Sequence, residues 1–303
     1  MRYRRALRRI RRFDIINDWP GILRKLRWTK IQEKHVKIDD EETQYIGHRP
    51  STPRTLMSLI IKFIFFFLGL LFLATCMAYI IYKPPVVLIE YLQRRHPEVV
   101  FHLPLPSSQK YVAITVDDAP SSETAKILDL LNIYKAKATF FVIGKQISNY
   151  PGVLERIQNE GHEIGIHGWA DEPSYKLPLA ELELQIRKIE TMLPQDPDRV
   201  KWFRPGSGWF TKSMIEMLKT IEYKLALGSV YPHDPQIKNP RINAAHVLSM
   251  ITPGAVIIMH DRRSYSYRQM EIVLQGLAAN GWKALSLGNL QKMKMNITTK
   301  GFT

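Results

Sequence analysis

One long stretch without a charge dominates the pattern of apolar and polar positions: Phe63 to Tyr82 reads FIFFFLGLLFLATCMAYIIY. Twenty apolar residues at about 1.5 Å rise cover about 30 Å, the thickness of a bilayer's hydrocarbon core. The run therefore predicts a membrane-spanning helix, placed at 59–82. A cleaved signal peptide would be shorter and nearer the N-terminus, and a buried core helix would carry polar residues on one face. Lys83-Pro84-Pro85 ends the span, and a short amphipathic piece, VVLIEYLQRRH, leads into a linker containing Pro and Ser, His102 to Lys110. From Tyr111 onward, short apolar runs alternate with segments of helical period. Strands are predicted at Tyr111–Val116, Ala138–Ile143, Glu163–Ile166, Lys201–Phe203, Lys224–Leu227, Ala255–Met259 and Lys283–Ser286. Helices are predicted between them at Thr124–Tyr134, Gly152–Asn159, Leu179–Leu193, Lys212–Thr220, Asn243–Met250 and Tyr267–Ala279. This alternation predicts an α/β fold, either a parallel barrel or a doubly wound sheet. About 190 residues is short for an eight-fold barrel, which favours a distorted seven-stranded one.

Charge changes the picture only through its position. The net charge of +15 suggests a nucleic acid or an anionic membrane as partner. The first 55 residues carry 15 Lys/Arg against 7 Asp/Glu, and this segment lies directly before the span. Basic residues on that flank predict a cytosolic N-terminus and a lumenal or extracellular C-terminal domain, a single-pass type II arrangement. The basic arm then meets the anionic cytosolic leaflet, or serves as a sorting signal. A nucleic-acid partner is excluded, because the arm and the folded domain lie on opposite sides. Cys76, the only cysteine, lies inside the span, so the folded domain has no disulfide and relies on its own core. Asn296-Ile297-Thr298 is an N-glycosylation sequon consistent with a lumenal C-terminus. The expected organisation is a basic segment 1–58, the span 59–82, a linker 83–109, a catalytic domain 110–292 and a tail 293–303.

Chemically capable residues gather where the predicted strands end. The first strand closes in YVAITVDDAP, with Asp117 and Asp118 adjacent. Two neighbouring carboxylates repel each other and resist desolvation, so packing alone rarely places them at a strand end. One could hold a metal ion while the other takes a proton from water; a surface turn with two solvated Asp is the plain alternative. GHEIGIHGWADEPS places His167 and Asp171 at i and i+4, a spacing that suits two ligands on one metal or a surface pair. WFRPGSGWF offers Arg204 to orient a carboxylate beside a Gly-rich turn. GSVYPHDP carries His233 and Asp234, and GAVIIMHDRR carries His260 and Asp261 behind a continuous apolar run. Any one of these histidines could be structural. The recurrence of chemically capable residues at four successive strand ends points to one shared face.

In this order, TVDDAP, HGWAD after GHEIG, RPGSG and IIMHD, the motifs resemble those of the polysaccharide deacetylases of carbohydrate esterase family 4. ATFFVIG resembles that family's second core strand, and the details DDAPS, RPGSGWF and YPHDP look nearest to a fungal-type chitin deacetylase-like branch. The resemblance spans about Lys110 to Leu290. It implies a distorted (β/α) barrel and metal-assisted hydrolysis of an acetamido group on a chitin-like N-acetylglucosamine polymer. By the same resemblance Asp117 is the base, Arg204 the group that holds it, and His260 the acid. Asp118 and His167 are metal ligands, and Asp171 stands where the family usually has a second histidine; it either ligates as the third donor or does not bind, leaving a weak site or an inactive relative. A site of two carboxylates and one imidazole is compatible with zinc, cobalt or manganese. Ala119 replaces a usual glycine, and the usual Asp-Trp of the fourth motif is not evident where Tyr231, His233 and Asp234 stand.

The expected mechanism has the metal polarise the acetamide carbonyl and acidify a bound water. Asp117 deprotonates that water, and protonated His260 protonates the departing amine. Asp261 or a nearby group keeps His260 charged. Trp169, Trp209 and Tyr231 are sugar-stacking surfaces or local core. Two alternatives stand beside this reading, a membrane-anchored glycan-binding pseudoenzyme and an O-acetyl (xylan) esterase. A binding cleft needs neither a base nor an acid, so the pair Asp117 and His260 argues for an enzyme.

Overall fold

A computed structural model describes residues 53–300. Most of the basic N-terminal segment, on which the predicted orientation rests, lies outside the described residues, as do the last three residues of the predicted tail. The first element is α1 (Pro53–Tyr82). Its stretch Leu56–Tyr82 has a mean hydropathy of 2.6 and no buried residue, so it is long and apolar enough to cross a membrane. The amphipathic piece forms α2 (Val86–Arg95), and a two-residue strand β1 (Val99–Val100) follows.

The chain then alternates through β2 (Tyr111–Ala119), α3 (Thr124–Ile133), β3 (Ala138–Ile143), α4 (Gly144–Ile147), α5 (Val153–Asn159) and β4 (Glu163–Gly168). It continues with α6 (Leu179–Glu190), β5 (Trp202–Phe203), α7 (Lys212–Thr220), β6 (Lys224–Ala226) and α8 (Pro240–Leu248). The last elements are β7 (Val256–His260), α9 (Ser266–Ala279), β8 (Lys283–Leu285) and α10 (Leu287–Lys300). The strands form one sheet in the order β1-β6-β5-β4-β3-β2-β7, with β8 on the first half of β2. Every pairing between named strands is parallel. A parallel bridge from Val230 to Ile257 brings the segment after β6 back against β7, so the sheet curls toward closure.

Side chains alternate across each strand, which divides β2 between two cores. Val112, Ile114 and Val116 face the helices and pack in the larger apolar cluster with Ile127, Leu131, Ile157, Ile186, Leu218 and Val273. Ala113 faces the inside of the curl with Phe141, Trp202, Ala226 and Val256. Strands apolar on both faces read as unbroken hydrophobic runs, which is why they were visible in the sequence. Because all strands are parallel, their C-terminal ends share one side, where α/β folds place their chemistry.

Several elements depart from the sequence expectation, the short α4 among them. β1 was not foreseen, since two valines leave no period to read. α8 begins at Pro240 rather than at 243, because Asn239 caps it: its side chain accepts from the Arg241 and Ile242 amides, with Pro at the first helical position. The expected tail instead continues as α10, whose Leu287 and Leu290 plug the inside of the curl against Ala113 and Val256.

Candidate active site

The two adjacent carboxylates are separated by a bulge. The β2–β3 register shifts between Asp117 and Ala119, and Asp118 takes a left-handed φ of 66°. A bulge breaks the strict alternation of a strand and re-aims a side chain. Asp117 stays on the inward face, one rung beyond Thr115, while Asp118 turns toward His167. Both are buried, at 3 % exposure each.

Arg204, the residue after β5, is buried and fully engaged. Its Nη1 donates to Asp117 Oδ1 at 2.6 Å and to Thr115 Oγ1 at 2.7 Å. Nη2 donates to the Leu227 carbonyl at 2.7 Å and Nε to that of Ala226 at 3.1 Å. The guanidinium also stacks 4.1 Å from the Phe141 ring centroid. The turn that follows fits tightly: the Gly206 amide donates to Ser174 Oγ at 2.8 Å, and a Cβ on Gly206 would collide with the Glu172 carbonyl.

His167, in β4, makes a 2.8 Å hydrogen bond between Nδ1 and the Arg204 carbonyl. A carbonyl only accepts, so Nδ1 carries the proton and Nε2 presents its lone pair. That nitrogen lies 3.8 Å from Asp118 Oδ1. Burial raises the Asp118 carboxyl above its ordinary value, against the pull of His167, His260 and Arg262.

His260 ends β7 directly beside the base candidate, paired in register with Asp117. Its Nδ1 donates to Asp234 Oδ1 at 2.7 Å. Burial alone would lower the imidazolium's pKa. The hydrogen bond to Asp234 and the charges of Asp234, Asp117 and Asp118 outweigh it and raise His260 above its usual value. Asp234 is buried, and its own carbonyl accepts from Tyr265 Oη at 2.6 Å. Of Asp261 and the nearby group expected to keep His260 charged, the partner is the nearby Asp234, which corrects the expectation for Asp261. Asp261 accepts from Ser121 Oγ at 2.6 Å, from the Arg262 amide at 2.6 Å and from Thr124 Oγ1, so it ties β7 to the start of α3.

Asp171 is not brought to the Asp118–His167 pair. Its side chain is 52 % exposed and forms an ion pair with Arg262 Nη2, while Arg262 Nε lies 3.2 Å from Asp118 Oδ2. A guanidinium thus stands between the two carboxylates expected to share a metal ion. Among the described residues, no three His, Cys, Asp or Glu side chains come close enough to hold one. The free lone pair of His167 Nε2, on the side of Asp118, suits a metal ligand, but the expected three-donor set is not assembled, and the residues as they stand do not fit it.

The aromatic candidates separate. Trp169 is half-buried against the core under Lys188, whose Nζ lies 3.6 Å from its ring centroid, so it is a packing residue. Trp209 is 70 % exposed just past the Gly206 turn. Tyr231 sits edge-on to His260 at 5.8 Å, and burial together with Asp234 pushes its phenol up to about 12. On its other side it meets His233, whose Nε2 donates to the Tyr82 carbonyl at 2.7 Å. Asp234 and Arg262 were the residues whose roles sequence reasoning missed. The tripeptides HDP and DRR contained them, but nothing local shows which strand end a loop residue will reach.

The family described as "Polysaccharide deacetylase" matches residues 105–226. A peptidoglycan-N-acetylglucosamine deacetylase of Listeria monocytogenes is 31% identical over 211 residues, covering 68% of this chain and 43% of the relative. A peptidoglycan-N-acetylglucosamine deacetylase of Bacillus cereus is 28% identical over 196 residues, covering 63% of this chain and 92% of the relative. The solved structure of the peptidoglycan deacetylase PdaC from Bacillus subtilis superposes with a TM-score of 0.59 at 28% identity, covering 65% of this chain and 98% of that one. The chain spans about two-fifths of the length of several curated relatives it matches, 43% and 40% in two of them. These relatives are bacterial peptidoglycan deacetylases, which corrects the expected fungal-type chitin deacetylase-like branch. The curled parallel sheet, the order of its motifs and these matches agree: the chain carries a domain of the polysaccharide deacetylase family.

Proposed function

We propose that this protein is a hydrolase that removes acetyl groups from an N-acetylated glycan, held at a membrane by α1 with its domain outside the cytosol. The observation that carries the reading is the register pairing of Asp117 with His260, each fixed by its own buried partner, Arg204 and Asp234. A base and an acid are thereby held on adjacent strands at one end of the sheet.

Asp117 takes a proton from a water as its oxygen attacks the acetamide carbon. The tetrahedral intermediate collapses when His260, protonated at Nε2 and held through Nδ1 by Asp234, gives its proton to the nitrogen. The C–N bond breaks, leaving acetate and a free amine. An amine leaves poorly without that proton, so an acid is required, and a His whose pKa is raised is suited to supply it. Arg204 orients Asp117 and balances its charge. Exposed Trp209 offers a face for a sugar ring. The similarity to peptidoglycan-N-acetylglucosamine deacetylases favours a peptidoglycan-like N-acetylglucosamine polymer over chitin or acetylated xylan as substrate.

A membrane-anchored glycan-binding pseudoenzyme is the second reading, favoured by the hold of Arg262 on Asp118 and Asp171. Acetate release by the full chain in detergent, measured over a panel of acetylated glycans with and without added divalent ion, separates the two. Asp117→Asn should abolish release, and His260→Ala should lower it by about 10²–10⁴-fold. Glycan binding with no release under any condition selects the pseudoenzyme.

A further inference from the structure

We infer that Arg262 is the resident cation of this pocket, and that a divalent metal ion gains Asp171 as a ligand only by displacing it. The guanidinium contacts the outer oxygens of both carboxylates, Asp118 Oδ2 through Nε and Asp171 Oδ2 through Nη2. A planar fork suits such a bridge in a way that a point charge does not. A zinc-like ion draws carboxylate oxygens to about 2.0–2.2 Å, so it and the guanidinium cannot serve the same two oxygens together. The inner oxygen, Asp118 Oδ1, faces His167 Nε2, and these two donors stay available whether or not Arg262 is in place.

Arg262 is not a loose surface side chain that drifted onto an acid. Its backbone adopts a left-handed φ of 55°, and its amide donates to Asp261 Oδ1 at 2.6 Å and to Ser121 Oγ at 3.1 Å. Asp261 is itself buried, and its amide donates to the Asp117 carbonyl at 2.8 Å. The base of the side chain is thus locked to β2, β7 and the start of α3. The charge logic agrees. Asp118 is buried beside a second carboxylate whose cation, Arg204, is already engaged. Without Arg262 or a metal ion, Asp118 would be left with the imidazoles of His167 and His260 and no guanidinium of its own.

The inference concerns the pocket of the proposed hydrolase, but its readout is metal binding, so a catalytically silent protein does not overturn it. The full chain in detergent is titrated with Co²⁺ alone, followed by visible absorption, and with Zn²⁺ by calorimetry. Arg262→Gln should bind either ion about tenfold more tightly or better, the lower end for a charge-assisted bridge that is partly solvated. Asp171→Ala in the Arg262→Gln background should erase that gain. Arg262→Lys keeps the charge without the fork and should fall between wild type and Arg262→Gln; it also serves if Arg262→Gln fails to fold. Equal or weaker metal affinity in Arg262→Gln, or in Arg262→Lys where it is the folded variant, overturns the inference. So does a gain that survives removal of Asp171.

Discussion

Replacing Arg204 by methionine keeps most of the side chain's bulk and removes its charge and all its donors. Asp117 would remain 3 % exposed without its hydrogen-bonded guanidinium, and the Ala226 and Leu227 carbonyls would lose their Arg204 partners. Both charges lie inside, the Arg204 side chain at 2 % and that of Asp117 at 5 % exposure, so solvent screening does not discount the effect. Breaking a buried pair by deleting one partner costs about 3–5 kcal/mol, and an orphaned carbonyl adds about 1–3 kcal/mol where water does not reach it. Arg204→Met should therefore destabilise the domain by about 4 kcal/mol or more. At about 2–4 °C per kcal/mol for a domain of this size, the midpoint should fall by roughly 8 °C or more. Asp117→Asn alone should cost about 3 kcal/mol by the same reasoning, because the guanidinium stays buried without its anion. The double variant should cost less than the two single losses combined, by about 1–3 kcal/mol, since it strands no charge. Thermal and denaturant unfolding of the four proteins in the same detergent completes the cycle. Strict additivity, or a loss below about 1 kcal/mol for Arg204→Met, would refute the coupled buried pair on which the orientation of the base depends.

Three further outcomes are expected. With His260 as the acid, kcat/KM should fall as pH rises through its raised pKa; Asp234→Asn should move that limb to lower pH, and an unmoved limb means that His260 is not the acid. The same linkage gives the sign for stability: the contribution of the His260–Asp234 pair is full below about 6.5 and is lost as pH rises through the folded-state value. Tyr82→Ala removes a ring stacked 4.6 Å from His233 and set 4.4 Å from His246, so turnover in the full chain should drop while glycan binding holds; unchanged turnover means that the helix end does not support the 231–234 loop. Protease added outside sealed vesicles that keep the cytosolic face inward should digest the C-terminal domain, and protection of the domain there would place it in the cytosol.

Much of this was legible in the sequence, for physical reasons that differ from element to element. Strands β2, β3 and β7 are buried on both faces, so their apolar runs gave them away, and the acids and histidines at their ends followed from where those runs stop. Asp117, Arg204 and His260 stood out in the sequence because each lies at or near the end of an apolar run. Asp234 was seen but not given its role, because it reaches His260 from a loop whose path depends on the Val230–Ile257 bridge. Asp171 was placed by an i,i+4 argument that presumes a helical turn. Gly168, with φ of 124°, breaks that turn, so the spacing did not carry the side chain to Asp118. Helix α10 escaped because its apolar contacts are few and lie on its first turn.

The adjacent acids were the strongest signal in the chain, and the structure shows why two neighbouring carboxylates can be buried together. Alternation along a strand would send one of them into the apolar helix layer. The left-handed Asp118 avoids that by turning its side chain back to the site side. Each acid then meets its own guanidinium, Asp117 that of Arg204 at 2.6 Å and Asp118 that of Arg262 at 3.2 Å. The two cations differ in what holds them. Arg204 is enclosed and gives its remaining donors to fixed carbonyls and to Thr115, so its removal is a structural loss. Arg262 is 36 % exposed along its side chain and shares its charge with a surface carboxylate, so another cation can replace it at a far smaller cost. Asp117 is therefore held by the enclosed partner, and the more exposed one guards Asp118, whose second oxygen faces His167.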